Sequence, residues 1–141
     1  MITTYTELVQ RPLGSRMAHM IADINNAVDI CHGVSVEAGW WHNEEGVHLT
    51  TVPYYNELKI AQIHGEVSEM LEGIRKGQMD THCPEFTNEA IEAADVYIRH
   101  LDYCGARGID LGAAVAAKMR YNVSRQDHTP EARKAPGGKR Y

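Results

Sequence analysis

Glu66-Val67-Ser68-Glu69 and, about two dozen residues later, Glu92-Ala93-Ala94-Asp95 are the two stretches on which the reading of this chain turns. Each is a pair of carboxylates at i and i+3, a spacing that puts both side chains on one face of a helix. Two such helices side by side bring four carboxylates to one place. Like charges crowded in this way stay ionised only beside a counter-charge; otherwise their pKa values rise. Clusters made of oxygen ligands alone suit hard divalent ions such as Mg²⁺ or Mn²⁺. The expectation is a metal site built on two helices, with Glu66, Glu69, Glu92 and Asp95 as its ligands.

The sequence around each pair is helical in pattern. From Tyr54 to Lys76 the apolar residues Ile60, Ile63, Val67, Met70, Leu71 and Ile74 form a stripe, and Gly77 suits the end of the helix. Thr87 or Asn88 can cap the next helix, which runs to about Cys104 with a stripe of Ile91, Ala94, Ile98 and Leu101 and a stop at Gly105. Neither carboxylate pair lies on its helix's stripe, so both are expected on a shoulder beside a core. Upstream, Ser15 can cap a helix from about Arg16 to Ala38, carried by Met17, Met20, Ile21, Ile24, Val28 and Cys31. Gly39-Trp40-Trp41-His42-Asn43 closes it, and residues 42–53 read as a polar loop. Downstream, Asp110 caps a helix from Leu111 to about Arg125, on which Lys118, Asn122 and Arg125 share a face. The organisation expected is a lead-in over residues 1–14, an all-α domain with a four-helix-bundle core over 15–126, and a basic tail without regular structure over 127–141.

With 141 residues and 43% hydrophobic content, one domain with a real core is expected. The net charge of −5 gives no general attraction to nucleic acid. Cys31, Cys83 and Cys104 show no CxxC spacing, which argues against a disulfide framework and fits a reducing, cytoplasmic setting. Met1 to Gln10 does not read as a signal peptide, and no apolar run reaches the ~20 residues that span a bilayer, so no membrane partner is expected.

The adjacent Trp40 and Trp41 are either core plugs or a stacking wall for a flat ring. Lys118 and Arg125, together with Arg133, Lys134, Lys139 and Arg140 of the tail, can hold anionic oxygens. The tail reads equally as a disordered, solubilising end. Acid cluster, cationic face and aromatic wall together suggest a nucleotide whose phosphates bridge to metal. The matching chemistry is metal-assisted displacement at phosphorus, with a carboxylate taking the proton of the attacking water. Nothing matches GxxxxGK[ST], which removes the P-loop reading.

The phrase Ile60-Ala61-Gln62-Ile63-His64-Gly65-Glu66-Val67-Ser68-Glu69-Met70-Leu71-Glu72 resembles the first metal helix of MazG-like proteins, and Glu89-Ala90-Ile91-Glu92-Ala93-Ala94-Asp95-Val96 resembles the second. Together they resemble the ExxE…ExxD signature of the all-α nucleoside triphosphate pyrophosphohydrolase superfamily. Lys118 to Arg125 and the ending Gly137-Gly138-Lys139-Arg140-Tyr141 are similar to that family's last helix and basic tail. The likeness covers residues 54–141. It implies cleavage of a nucleoside triphosphate between its α and β phosphates, giving monophosphate and pyrophosphate, with Mg²⁺ as cofactor and Mn²⁺ as a substitute. It implies metal and catalytic roles for Glu66, Glu69, Glu92 and Asp95, and phosphate contacts for Lys118, Asn122, Arg125 and Lys139. It also implies a homodimer or homotetramer with sites completed at subunit contacts.

Other readings are blander. Glu72, Glu85 and Glu89 read as a solvated face, and His64 as a solvated or satisfied histidine. Glu45 and His48 form a lone ExxH in a loop, whereas a di-iron or di-manganese carboxylate bundle wants one on each of two helices. The alternative from a different class is a non-catalytic helical interaction module with a vestigial metal site.

Overall fold

A computed structural model of the chain describes residues 14–125, 127 and 129–138. The protein is all-α, with helices α1 (Gly14–Glu37), α2 (Tyr55–Lys76), α3 (Asn88–Ala106), α4 (Leu111–Ser124) and the short α5 (Pro130–Lys134), and a 3₁₀ turn at Leu49–Thr51. Extended pairing among the described residues is confined to two isolated bridges, His42 with His48 and Met79 with Thr87. Its three cysteines are free thiols. No described helix is long and apolar enough to cross a membrane.

The helix ends follow the local chemistry. Thr87 caps α3 by accepting from the Ala90 N–H, and Asp110 caps α4 by accepting from the Ala113 N–H. Gly77 ends α2 in the left-handed conformation at φ 62°. Three details differ from expectation. Helix α1 starts at Gly14, ahead of the expected Ser15 cap. Helix α3 runs through Gly105 to Ala106, and the left-handed glycine after it is Gly108. The expected tail of irregular chain contains α5, because Thr129 accepts from the Ala132 N–H and Pro130 pre-sets the first helical turn.

The chain divides into two compact units. One comprises the described residues of Met1–Asn25 and Asp110–Tyr141; the other is Asn26–Ile109. In the first unit the α4 N-terminus lies against α1. The Asn25 amide donates to Asp110 Oδ1 (3.0 Å) and its Oδ1 accepts from the Gly112 N–H (2.8 Å). A Cβ on Gly112 would fall 2.5 Å from the Ile21 carbonyl oxygen, so only glycine fits this approach.

In the second unit α2 and α3 pack antiparallel. Gly73 sits against Asn88, Glu66 pairs with Arg99, and the α2 N-terminus faces the end of α3. The contact is made by a polar seam on each helix. On α2 the seam is Lys59, Gln62, Glu66, Glu69 and Gly73; on α3 it is Asn88, Glu92, Asp95, Arg99 and Asp102. Both step by three and four, so each set keeps to one helix face. Glu66, Glu92 and Asp102 are buried, whereas Ile60, Val67, Leu71 and Ile74 of the expected α2 core stripe are exposed. The expectation of carboxylates on a shoulder is therefore revised for Glu66 and Glu92, which are buried while Glu69 stays exposed, and the α2 stripe is largely exposed, with only Ile63 and Met70 half-buried. On α3 the stripe is covered in part, with Leu101 buried and Ile98 exposed.

Candidate metal centre and adjoining cavity

Glu66, Glu69 and Glu92 each offer a carboxylate oxygen, and these oxygens lie within 4.8 Å of one another. The seams explain why. Glu66 and Glu69 occupy consecutive seam positions of α2, and Glu92 faces them from α3. Asn88, one turn before Glu92, donates from Nδ2 to Glu92 Oε1 (2.9 Å) and fixes that carboxylate's orientation. Gly73 permits this: a Cβ there would come within 2.6 Å of Asn88 Oδ1 and 2.9 Å of the Glu89 nitrogen. Asp95 stands outside the set of three. It is close enough to raise the Glu66 pKa, and it lines the neighbouring cavity.

Glu66 is 8% exposed. Burial raises its pKa above the ordinary carboxylate value, the Arg99 guanidinium pulls it back, and the charges of Glu69, Asp95 and Glu92 add to the rise. The Arg99 contact is direct, Nε to Glu66 Oε1 at 2.7 Å. Glu72, three residues beyond Glu69, behaves otherwise. Hydrogen bonds from Arg75 and then Lys76 lower its pKa to about 2, and it belongs to a solvated ion-paired face, as its sequence position suggested.

A cavity of about 320 Å³ adjoins the acids, lined by Ser35, Trp40, Lys59, Gln62, Asp95, Ile98, Arg99 and Asp102. Gln62 Oε1 is buried and has no hydrogen-bond partner among the described residues, which leaves an acceptor in the wall. The two tryptophans divide sharply. Trp40 is 63% exposed and lines the cavity. Trp41 is fully buried, and its indole N–H donates to Asp102 Oδ1 (2.7 Å), which His32 Nδ1 approaches at 2.9 Å. His48 stacks against the Trp41 ring and Tyr55 meets it edge-on. Of the two readings of the tryptophan pair, Trp41 takes the core plug, since its ring is fully buried. Lys59 lies 4.7 Å from the Trp41 ring centroid, and burial lowers its pKa.

Lys118, Asn122 and Arg125 belong to the other unit. Lys118 Nζ lies 4.9 Å from the Tyr121 centroid, and Arg125 lies 5.9 Å from the same ring, so these cations do share a face. Arg125 is also ion-paired with Asp127, with Nε donating at 2.9 Å. Asn122 Oδ1 is buried without a partner among the described residues. Lys139 lies outside the described residues.

Arg99, Asn88, Lys59 and Gln62 were not read from the sequence as site residues. The signal was there: Asn88, Glu92, Asp95 and Arg99 repeat at four, three and four, as do Lys59, Gln62, Glu66 and Glu69 at three, four and three. Comparison with family models, with curated proteins and with solved structures returned no match.

Proposed function

We propose that the protein is a Mg²⁺-dependent nucleoside triphosphate pyrophosphohydrolase, releasing a nucleoside monophosphate and pyrophosphate, and that the α2–α3 seam is its active site. The observation that carries this reading is three carboxylate oxygens within 4.8 Å, on two facing helices, beside a cavity that joins an exposed indole to two cations. The donor set fits the ion. Carboxylate oxygens at this separation suit a hard divalent cation, and the Glu66 pKa, raised first by burial and then by the charges of Glu69, Asp95 and Glu92, marks a carboxylate that such a cation would help to keep ionised.

Glu66, Glu69 and Glu92 would hold the ion. When bound, Mg²⁺ polarises a phosphoryl oxygen and lowers the pKa of water. Asp95 is outside the trio yet on the cavity wall, which suits it to take the proton from the attacking water. Trp40 offers a face for the base, Gln62 Oε1 offers an acceptor, and Lys59 and Arg99 supply positive charge for phosphate oxygens. Lys118, Asn122 and Arg125 are proposed as further phosphate contacts, on the resemblance alone.

The exposed stripe of α2 supports a homo-oligomer. Ile60, Val67, Leu71 and Ile74 recur along one helix face, with Leu71 67% exposed, and a second copy would cover them. The test of the activity is a panel of the eight common NTPs and dNTPs with Mg²⁺ or with EDTA, products resolved by chromatography. Monophosphate plus pyrophosphate, lost in EDTA, is the expected outcome. No turnover with any nucleotide in Mg²⁺ or Mn²⁺ would refute it and leave a non-catalytic interaction module.

A further inference from the structure

The ion pair between Arg99 and Glu66 raises a question that the metal reading does not answer. Arg99 is one turn beyond Asp95 on the α3 seam, and its Nε lies 2.7 Å from Glu66 Oε1. The same side chain lines the cavity. Glu66 is buried, and Glu69, Asp95 and Glu92 all act on it. Arg99 is the cation that offsets those charges, and its own side chain is 43% exposed, so it has room to leave.

We propose that Arg99 is the cluster's built-in counter-ion: it holds Glu66 while no divalent ion is bound, a divalent ion competes with it for that carboxylate, and the displaced guanidinium is freed to bind an anion in the cavity whose wall it already forms. This inference rests on the metal reading above. Two cations contending for one carboxylate oxygen cannot both keep a short contact, because their mutual repulsion rises as each approaches. Arginine suits the role better than lysine. Its planar fork can stay on Glu66 or turn to a phosphate with little loss of hydrogen bonding, and it remains charged throughout. The device keeps the acids from repelling one another in the ion-free protein. It also makes an anion-binding group available only once the ion is in place, which couples the two ligands.

The test is direct binding of Mn²⁺ alone to the full chain, followed by calorimetry or by the free-ion electron spin resonance signal. Arg99→Gln removes the competitor and should bind Mn²⁺ more tightly, by about three- to tenfold at low salt, since the half-exposed pair is of modest strength. The gain should shrink in high salt, where the wild-type ion pair is screened. A purely structural arginine would give the opposite sign, a looser cluster and weaker binding. Equal or weaker Mn²⁺ binding by folded Arg99→Gln overturns the proposal. An independent readout needs no folded glutamine variant: the Arg99 Nε–H resonance of the wild type, identified by its loss in Arg99→Lys, should shift as Mg²⁺ is titrated in. A resonance that stays in place while Mg²⁺ saturates the acids also overturns it. Wild-type protein that binds no Mn²⁺ at all refutes the metal reading together with this one, whereas binding that the arginine does not influence refutes this one alone.

Discussion

Helix α2 presents two faces, set about 100° apart, which is the turn from one residue to the next. Lys59, Gln62, Glu66, Glu69 and Gly73 meet α3; Ile60, Ile63, Val67, Met70 and Ile74 each follow a seam residue by one position. On α3 the relation runs the other way, with Ile91, Ala94, Ile98 and Leu101 each preceding a seam residue. For antiparallel helices this sends the two apolar stripes to opposite sides of the pair. Leu101 is buried, while Leu71 and Ile74 of α2 are exposed. The pair thus meets at its centre through polar side chains, with the Arg99–Glu66 ion pair between the helices, an arrangement that contributes little stability by itself. The apolar stripe of α2 is left largely exposed.

The sharpest way to test that contrast is to neutralise the seam. Glu66→Gln should lower turnover by more than about a hundredfold, as should Glu69→Gln or Asp95→Asn, with the helical circular-dichroism signal unchanged. The same Glu66→Gln change should raise the melting temperature of the ion-free protein. The folded state holds the Glu66 proton more tightly than the unfolded chain does. Stability is therefore lost as pH rises from the ordinary value of 4.5 through the raised one, and glutamine removes that loss. The stabilisation should be seen at neutral pH and vanish in mild acid. A variant that melts lower at neutral pH would show that Glu66 is held favourably, and that Arg99 more than offsets its neighbours.

The tryptophan pair gives the next largest effect. Trp41→Ala should cost about 3–5 kcal/mol, because a fully buried indole is lost and Asp102 loses a donor. Trp40→Ala should leave the denaturation midpoint within about 0.5 kcal/mol of wild type and raise KM for a triphosphate. Equal destabilisation by both would return Trp40 to the core as well.

How far these features could be read from the sequence follows from what local pattern encodes. The all-α class, the ends at Gly77 and the caps at Thr87 and Asp110 depend on residues a few positions apart, and the 3.6-residue period exposes them. The partition of Trp40 from Trp41 depends on Asp102 and His32, some sixty residues and nine residues from Trp41, and no local rule reaches them. The exposure of the α2 stripe was missed for a different reason. An apolar stripe shows that a face avoids water, but it does not say whether the same chain or another molecule covers it. The four acids were recognised as a set because two pairs share one spacing. Arg99 was missed although it continues that spacing, because attention to like charges passes over the cation among them.

The exposed stripe should respond oppositely to the seam. Leu71→Lys or Ile74→Glu should change the stability of the isolated chain by no more than about 0.5 kcal/mol and yet shift an oligomer toward smaller species in sedimentation. Each lost apolar side chain removes about 1.5–3 kcal/mol of burial per copy from such an interface. A wild-type chain that sediments as a monomer at all concentrations would mean that the stripe waits for a different molecule.

Two glycines of the same helix separate seam from surface most cleanly. Gly73 lies in the seam, where an added Cβ would stand 2.6 Å from Asn88 Oδ1 and 2.9 Å from the Glu89 backbone nitrogen. The side-chain amide can rotate away, but the backbone cannot. Gly73→Ala should therefore spread the helices and cost about 1–3 kcal/mol. It should also weaken ion binding, because Asn88 holds Glu92 in place. Gly65 is in the same helix with nothing within 4 Å of its added Cβ. Gly65→Ala should stabilise the helix by about 0.5–1 kcal/mol, because alanine loses less backbone freedom on folding. Chemical denaturation of the two variants reads both signs. If Gly73→Ala were also neutral or stabilising, the helices would have slack where the seam demands contact, and the acids it positions could not be held at the separation that a metal ion requires.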